Sequence, residues 1–422
     1  MKVEEFQFPS DWKLIPIAES FDFTKKPRGL DLSKNGDEIP FFPMHQIPLG
    51  RIRVSLFTSK PLGQLGSGTY VENGDLMVAK ITPSFENGKQ AIVDIETDFA
   101  YATTEVIPLR GREGESDTLF LFFYLLHPEV RSDLAGKMEG STGRQRLSKT
   151  VLGDRLIPLP PLPEQKNIAH ILSTVQQAIE AQERIIQTTS ELKKALMNKL
   201  FTEGLHNEPQ KQTEIGSVPE SWEVVRCEDV CDTISVGIVV KPSSYYVANG
   251  VPAFRSQNVR EDRIQPEPMV YISEEANNGP VKKSKLSVGD VLIVRTGYPG
   301  TSCVVPPEFD GSNCIDLIFV RPNRAKLRSH YLSRFFNSDA AKVQVQAGKI
   351  GLAQQHFNVG AVKNTQMPLP PTDQQDKIVA HLELIDSKHD LATSKRNTLQ
   401  DLCRTLLHEL MTAKTRVHEI TL

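Results

Sequence analysis

The chain is written twice. Pro158-Leu-Pro-Pro161 returns 210 residues later as Pro368-Leu-Pro-Pro371. At the same offset Gln165 meets Gln375, Ile168 meets Ile378 and Leu172 meets Leu382, seven identities in fifteen positions. Composition alone gives roughly one. The offset holds upstream, where Pro9 and Trp12 match Pro219 and Trp222, and where Gln145 matches Gln355. Between these anchors it drifts by a few residues. Ile39-Pro-Phe-Phe42 resembles Val251-Pro-Ala-Phe254, and Gly74-Asp-Leu-Met-Val-Ala-Lys80 resembles Gly289-Asp-Val-Leu-Ile-Val-Arg295. Glu105-Val-Ile-Pro-Leu-Arg110 resembles Asp316-Leu-Ile-Phe-Val-Arg321. A repeat this long means one structural framework used twice, and drift in its middle means the copies carry different loops.

Each copy has two parts. The first has short β-type runs, such as Leu76 to Ile81, Val291 to Arg295 and Leu317 to Val320, bounded by Gly, Pro and Asp. Helical patterns at Thr118 to Leu126 and Ser329 to Phe336 are mixed in, which predicts a mixed α/β domain. The second part is one long helix. The expected fold class is therefore α+β, with two pseudo-repeated mixed α/β domains, each followed by a long helix. The expected boundaries are 1–157, 158–206, 207–367 and 368–422.

The helices carry a seven-residue repeat. In the first, Ile168, Val175, Gln182, Thr189 and Leu196 occupy one heptad position, and Ile171, Ala178, Ile185 and Leu192 the other. Leu172, Ile179, Ile186 and Leu200 lie beside them. The second has Ile378, Ile385, Ala392, Leu399 and Leu406, with His381, Lys388 and Lys395 at the other position. Pro163 suits a first helical turn, Thr372-x-x-Gln375 reads as a capping box, and Gly204 can close the first helix. A rod of roughly 37–40 residues spans about 55–60 Å, and its single apolar stripe needs a partner. The simplest pairing is an antiparallel coiled coil within the chain, leaving charged positions free for other subunits.

Composition narrows the function. With 49 Lys+Arg against 52 Asp+Glu the net charge is −3, so the molecule is not one large basic surface, and no region is strongly basic. No run approaches the roughly 18 apolar residues of a membrane span, so no membrane partner is expected. Five scattered cysteines, none in the first 226 residues, form no disulfide framework and suit a reducing cytoplasm. Cys227 and Cys231 lack a second ligand pair and read as ordinary thiols. There is no Walker A loop, no His-Glu-x-x-His, no Gly-x-Ser-x-Gly and no Asn-Pro-Pro-Tyr type tetrapeptide. This favours recognition or scaffolding over catalysis, with no catalytic, metal or cofactor residue assigned.

Two variable domains, each followed by Pro-Leu-Pro-Pro and a long helix, resemble the specificity subunits of type I restriction–modification systems. The match is carried by Ile157 to Gln165 running into Ile168 to Leu172, and by Met367 to Gln375 running into Ile378. Gly289 to Arg295 and the lead-in Gly216-Ser-Val-Pro-Glu-Ser-Trp222 add to it. The resemblance covers nearly the whole chain. It implies two target-recognition domains, each reading one half of a split double-stranded DNA site, and helices that hold the domains apart and dock two methyltransferase subunits. Those partners would bind S-adenosylmethionine and methylate adenine N6. Restriction subunits, using ATP and Mg, would translocate and cut unmodified DNA. This chain itself would hold no cofactor.

Reading bases in the major groove requires Arg for guanine and Asn or Gln for adenine. Candidates at repeat-matched or loop positions are Lys80, Arg144, Gln145 and Arg146 in the first domain. In the second they are Arg255, Gln257, Asn258, Arg295, Gln354, Gln355 and His356. Trp12 and Trp222 are expected to be core residues at equivalent positions. Two other readings stay open: an enzyme with its nuclease or methyltransferase site in a variable loop, and a coiled-coil scaffold that reads no DNA.

Overall fold

A computed structural model describes residues 8–32, 36–64, 67–141, 143–206, 208–347 and 357–417. Gln354, Gln355 and His356 lie outside the described residues. The chain divides into two compact units, 1–185 with 392–422, and 186–391.

In the first unit a five-stranded sheet runs in the order Phe21–Phe23, Val106–Gly111, Leu76–Ala79, Gln90–Val93, Arg53–Val54. A four-stranded sheet follows the order Thr58–Pro61, Glu38–Phe42, Phe99–Ala102, Thr69–Glu72. The second unit repeats the plan with Cys231–Val236, Leu317–Pro322, Val291–Val294, Ser302–Val304 in one sheet. Tyr246–Val247, Val270–Ile272, Val251–Phe254 and Asn313–Cys314 form the other. The strands Leu76–Ala79 and Val291–Val294 are apolar without alternation because both of their faces are buried. The helix Thr118–Leu126 shares the first core with Leu76 and Val78, and Ser329–Asn337 shares the second with Val291 and Ile293.

A two-stranded ribbon closes each α/β domain. Lys13–Pro16 pairs antiparallel with Leu156–Leu159, and Glu223–Arg226 pairs with Gln366–Leu369. The registers are identical, Lys13 opposite Leu159 and Glu223 opposite Leu369. Trp12 and Trp222, one residue before each ribbon, are buried in their cores as expected. The Trp12 indole N–H donates to Glu164 at 3.1 Å, and that of Trp222 donates to Gln374 at 2.9 Å. The Pro-Leu-Pro-Pro segment is thus the end of a strand turned directly into the helix.

The helices span Leu162–Thr202 and Thr372–Met411, and they pack together. Met197, Leu200 and Phe201 share a core with Ile378, Val379 and Leu382 in the second unit. In the first, Ile168, Ile171 and Leu172 share one with Leu407, Leu410 and Met411. Rising numbers on one helix meet falling numbers on the other, so the pairing is antiparallel. The seam differs from the sequence expectation by one residue. His381, Lys388 and Lys395 are exposed, as are Ile185 and Leu192. The inward columns are Leu172, Ile179, Ile186, Lys193 and Leu200, and Leu382, His389, Arg396, Cys403 and Leu410. Both columns follow the first heptad position by four residues rather than three. Either spacing lies on one helix face, and burial of Leu172, Ile179, Leu200, Leu382 and Leu410 selects the former.

Gly204 lies just past the first helix in the left-handed region (φ 69°) and closes it as expected. The capping box at Thr372 does not form in that sense. Gln375 is fully buried, and its side chain leaves the helix to grip the α/β domain. Its Oε1 accepts from the Arg328 N–H at 2.8 Å, and its Nε2 donates to the carbonyls of Lys326 and Pro370, each at 2.9 Å. Gln165 does the same in the first unit, with Asp117 N–H at 2.9 Å, Glu115 O at 3.1 Å and Pro160 O at 2.8 Å.

Candidate nucleic-acid interface

Each unit places a cation at the open end of its central buried strand. In the first unit this is Lys80, following Leu76–Ala79. Its carbonyl accepts from Leu147 N–H at 2.7 Å, Ile81 bridges Arg146, and Thr82 N–H donates to Gln145 O at 3.0 Å. The backbone therefore brings Lys80, Arg144, Gln145 and Arg146 to one place. The last three form the return strand of a hairpin, Glu139–Ser141 with Arg144–Arg146.

Their surroundings differ. Arg144 is exposed on this hairpin, whereas Gln145 and Lys80 are half-buried. Arg146 is exposed but grips Glu105, with Nε–Oε2 at 3.0 Å and Nη2–Oε1 at 2.9 Å. Hydrogen bonding from Arg146, opposed by partial burial and helped by Lys80, holds the Glu105 carboxyl below the usual carboxylate range. Arg146 can turn outward only by giving up this partner.

In the second unit Arg295 follows Val291–Val294, and its carbonyl accepts from Phe357 N–H at 3.2 Å. Phe357 is the repeat mate of Leu147, so the same backbone link recurs. Arg295 Nη1 donates to Asp316 at 2.5 Å, as the carboxylate of Glu105 is held in the first unit. Asp316 sits in the left-handed region at φ 51°, an uncommon conformation for a non-glycine residue. Among the described residues, the buried Nε atoms of Arg295 and Arg255 have no hydrogen-bond partner.

Arg255, Gln257 and Asn258 share one loop. Gln257 is exposed and donates to Pro268 O at 3.1 Å. Asn258 is fully buried. Its Oδ1 accepts from Arg255 N–H at 2.9 Å, and its Nδ2 donates to Gln265 O and Pro268 O, both at 3.0 Å. Asn258 therefore holds the loop, with both of its amide atoms hydrogen-bonded to backbone groups. Sequence reading missed Tyr298, which is 84% exposed in the turn between Val291–Val294 and Ser302–Val304, three residues beyond Arg295. It also missed Val240, 72% exposed, in the loop after Ile238, whose carbonyl accepts from Asp316 N–H at 3.1 Å. The available signal was an aromatic residue between Gly297 and Gly300, both in the left-handed region.

All five cysteines are free, and Cys227 Sγ lies 3.7 Å from Cys231 Sγ. Among the described residues no cluster of three or more His, Cys, Asp or Glu could hold a metal ion. No helix among them is long and apolar enough to cross a membrane.

Two equivalent mixed α/β domains, each followed by a long helix, define a tandem-repeat α/β protein. The model of the type I restriction modification DNA specificity domain matches residues 9–189 and again 219–401, and the chain belongs to that family. It is 25% identical to a Methanocaldococcus jannaschii protein provisionally named the MjaX type I restriction enzyme specificity subunit, over 99% of this chain and 96% of that one. It is 28% identical to the MjaVIII specificity subunit of the same organism, over 75% of each. The S subunit of the type I system from M. genitalium shares the fold, with a TM-score of 0.59 at 14% identity over 96% of both chains.

Proposed function

We propose that this chain reads a two-part, asymmetric double-stranded DNA sequence for a type I restriction–modification complex. The observation that carries this is one scaffold presenting different side chains twice. Lys80 stands where Arg295 stands in the second unit, since the Lys80 carbonyl accepts from Leu147 N–H and the Arg295 carbonyl from the matched Phe357 N–H. Equivalent frames place both read-outs alike, and unequal side chains make the half-sites differ. Regions 1–157 and 207–367 are the target-recognition domains, and 158–206 and 368–422 the spacer helices.

The helices dock two adenine-N6 methyltransferase subunits, and restriction/translocase subunits join the same cytoplasmic assembly. Catalysis belongs to the partners. They supply S-adenosylmethionine, and the restriction subunits use ATP and Mg. The target base leaves the stack in the partner's pocket, while this chain fixes which base is offered.

The test is a base-resolution adenine-methylation map of host DNA with and without the gene. The expected result is loss of methylation at one two-part motif with a fixed gap. An unchanged map, together with failure to co-purify with a methyltransferase, would overturn the reading. The purified chain alone, given labelled S-adenosylmethionine and DNA, is expected to transfer nothing. Turnover there would instead identify an enzyme.

A further inference from the structure

Eight residues beyond Phe42 and Phe254, which match in the repeat, stand Gly50 and Asp262. Both occupy the left-handed region, φ 68° and 61°. Glycine is the ordinary residue there, so an aspartate calls for a reason. Each residue is linked to the same helix position, one directly and one through cations. In the first unit Gln176 Nε2 donates to Gly50 O. In the second the residue 210 positions after Gln176 is Asp386, and it does not reach Asp262 directly. Two cations join them.

Arg334 Nη1 lies 2.6 Å from Asp262 Oδ2 and 2.5 Å from Asp386 Oδ2. Lys193 Nζ lies 2.7 Å from Asp386 Oδ1 and 3.6 Å from Asp262 Oδ2. The four charges alternate in sign around a closed ring. Ser333 Oγ and Asn337 Nδ2 donate to Asp262 Oδ1 at 3.0 and 2.9 Å and fix its second oxygen. Asp262 N–H donates to Ser302 O at 2.8 Å, which locks the turn to the sheet. The ring ties a domain turn, a domain helix and both spacer helices. Lys193 belongs to the inward column of its helix, and the residue 210 positions on is Cys403, so the first unit has no counterpart charge there.

Ion pairs removed from water are poor stabilisers, and in some proteins they serve to select one arrangement. Arg334 is buried, so any other arrangement strands its charge. A cavity of about 800 Å³, lined by Lys193, Asp262, Arg334 and Asp386 among others, lies beside the ring and leaves room for the domain to tilt once it opens. We propose that Asp262, Arg334, Asp386 and Lys193 form a positioning device that fixes the second recognition domain on its helices. It thereby makes the complex reject DNA whose half-sites are wrongly spaced. This rests on the DNA-reading function proposed above.

The test uses the full complex with its methyltransferase partner and duplexes carrying the native gap or a gap longer or shorter by one base pair. Lys193→Met opens the ring at its least buried cation, and Arg334→Met with Asp386→Asn removes one charge of each sign. Both are expected to keep native-gap methylation and to lower the preference for the native gap about tenfold, an energy within the range of coupled ion networks. Lys193→Arg is expected to restore the preference. Folded variants, checked by thermal melts, that keep the wild-type preference would overturn the positioning role. A wild-type complex that methylates no specific site would instead overturn the underlying reading.

Discussion

Arg321 holds Asp290 by two hydrogen bonds, Nε to Oδ1 at 2.8 Å and Nη2 to Oδ2 at 2.7 Å. The repeat puts the same pair in the first unit, where Arg110 Nε donates to Asp75 Oδ1 at 2.7 Å. Both aspartates are buried, and each also accepts from the N–H three residues earlier, that of Glu72 or Ser287, at 2.8 Å. The Gly-Asp step before each central strand is therefore a turn held by a carboxylate that its arginine neutralises. Asp290→Ala leaves a turn N–H and a guanidinium without their acceptor. It should lower the stability of the second domain by about 3 kcal/mol, measured as an earlier transition in urea unfolding. Arg321→Met should disturb the same transition, because it leaves the buried Asp290 without its cation.

His127 gives the first domain a pH-sensitive contact with the C-terminal helix. It is buried, its Nε2 lies 3.3 Å from His408 Nδ1, and Lys414 Nζ lies 2.9 Å from His408 Nε2. Burial pushes the His127 pKa down to about 4 from 6.5, and His408 adds to the effect against the opposing Glu129. In the unfolded chain this ring takes a proton as pH falls through about 6.5, and in the folded chain only near 4. Its contribution is present above pH 6.5 and is lost as pH falls through that window, by up to about 3 kcal/mol at 1.36 kcal/mol per unit. Melting curves from pH 7.5 to 4.5 should show a steeper decline for the wild type than for His127→Gln.

Gln165 and Gln375 are a matched pair in the repeat. Each spends its amide on one N–H and one carbonyl of its own α/β domain and on the carbonyl of the proline five residues before it. Gln375→Met keeps the volume and loses all three bonds. We expect about 3 kcal/mol of destabilisation, since buried partners are left unpaired. If urea unfolding shows no more than a few tenths, the helix start does not depend on this contact.

The framework was legible because the repeat exposes it. Trp12 with Trp222, and the Asp and Arg of each central turn, occupy matched positions, and matched positions make matched contacts. The seam was misplaced by one residue because a 3.6-residue helix accepts either a three- or a four-residue step. Exposed Leu192, Leu384 and Leu391 are as apolar as the residues that turn inward, so hydrophobicity alone did not decide. The interface was only partly legible. Donor type and repeat position brought Lys80 and residues 144–146 to one place, but could not show that Asn258 is buried or that Arg146 already holds Glu105. Those facts depend on long-range partners, Pro268 and Glu105, that no local pattern announces. The charge ring was invisible for the same reason, since its members come from four elements.

Arg144 and Arg146 lie two residues apart on the same strand and point to one side, yet they should behave differently on DNA. Arg144 is exposed on its hairpin, whereas Arg146 grips Glu105. In the reconstituted complex Arg144→Ala should weaken target binding about tenfold, within the 1–3 kcal/mol typical of a bidentate base contact, and relax selection at one position of the first half-site. Arg146→Ala should do less, because the released Glu105 carboxylate is the only group to change partner. If Arg146 instead contacts phosphate, its loss should lower the slope of log K against log salt by about 0.9 and leave sequence preference intact. Titrations of matched and single-mismatch duplexes at several salt concentrations separate these outcomes. Equal loss on every sequence in the Arg144 variant would assign that side chain to the backbone rather than to a base.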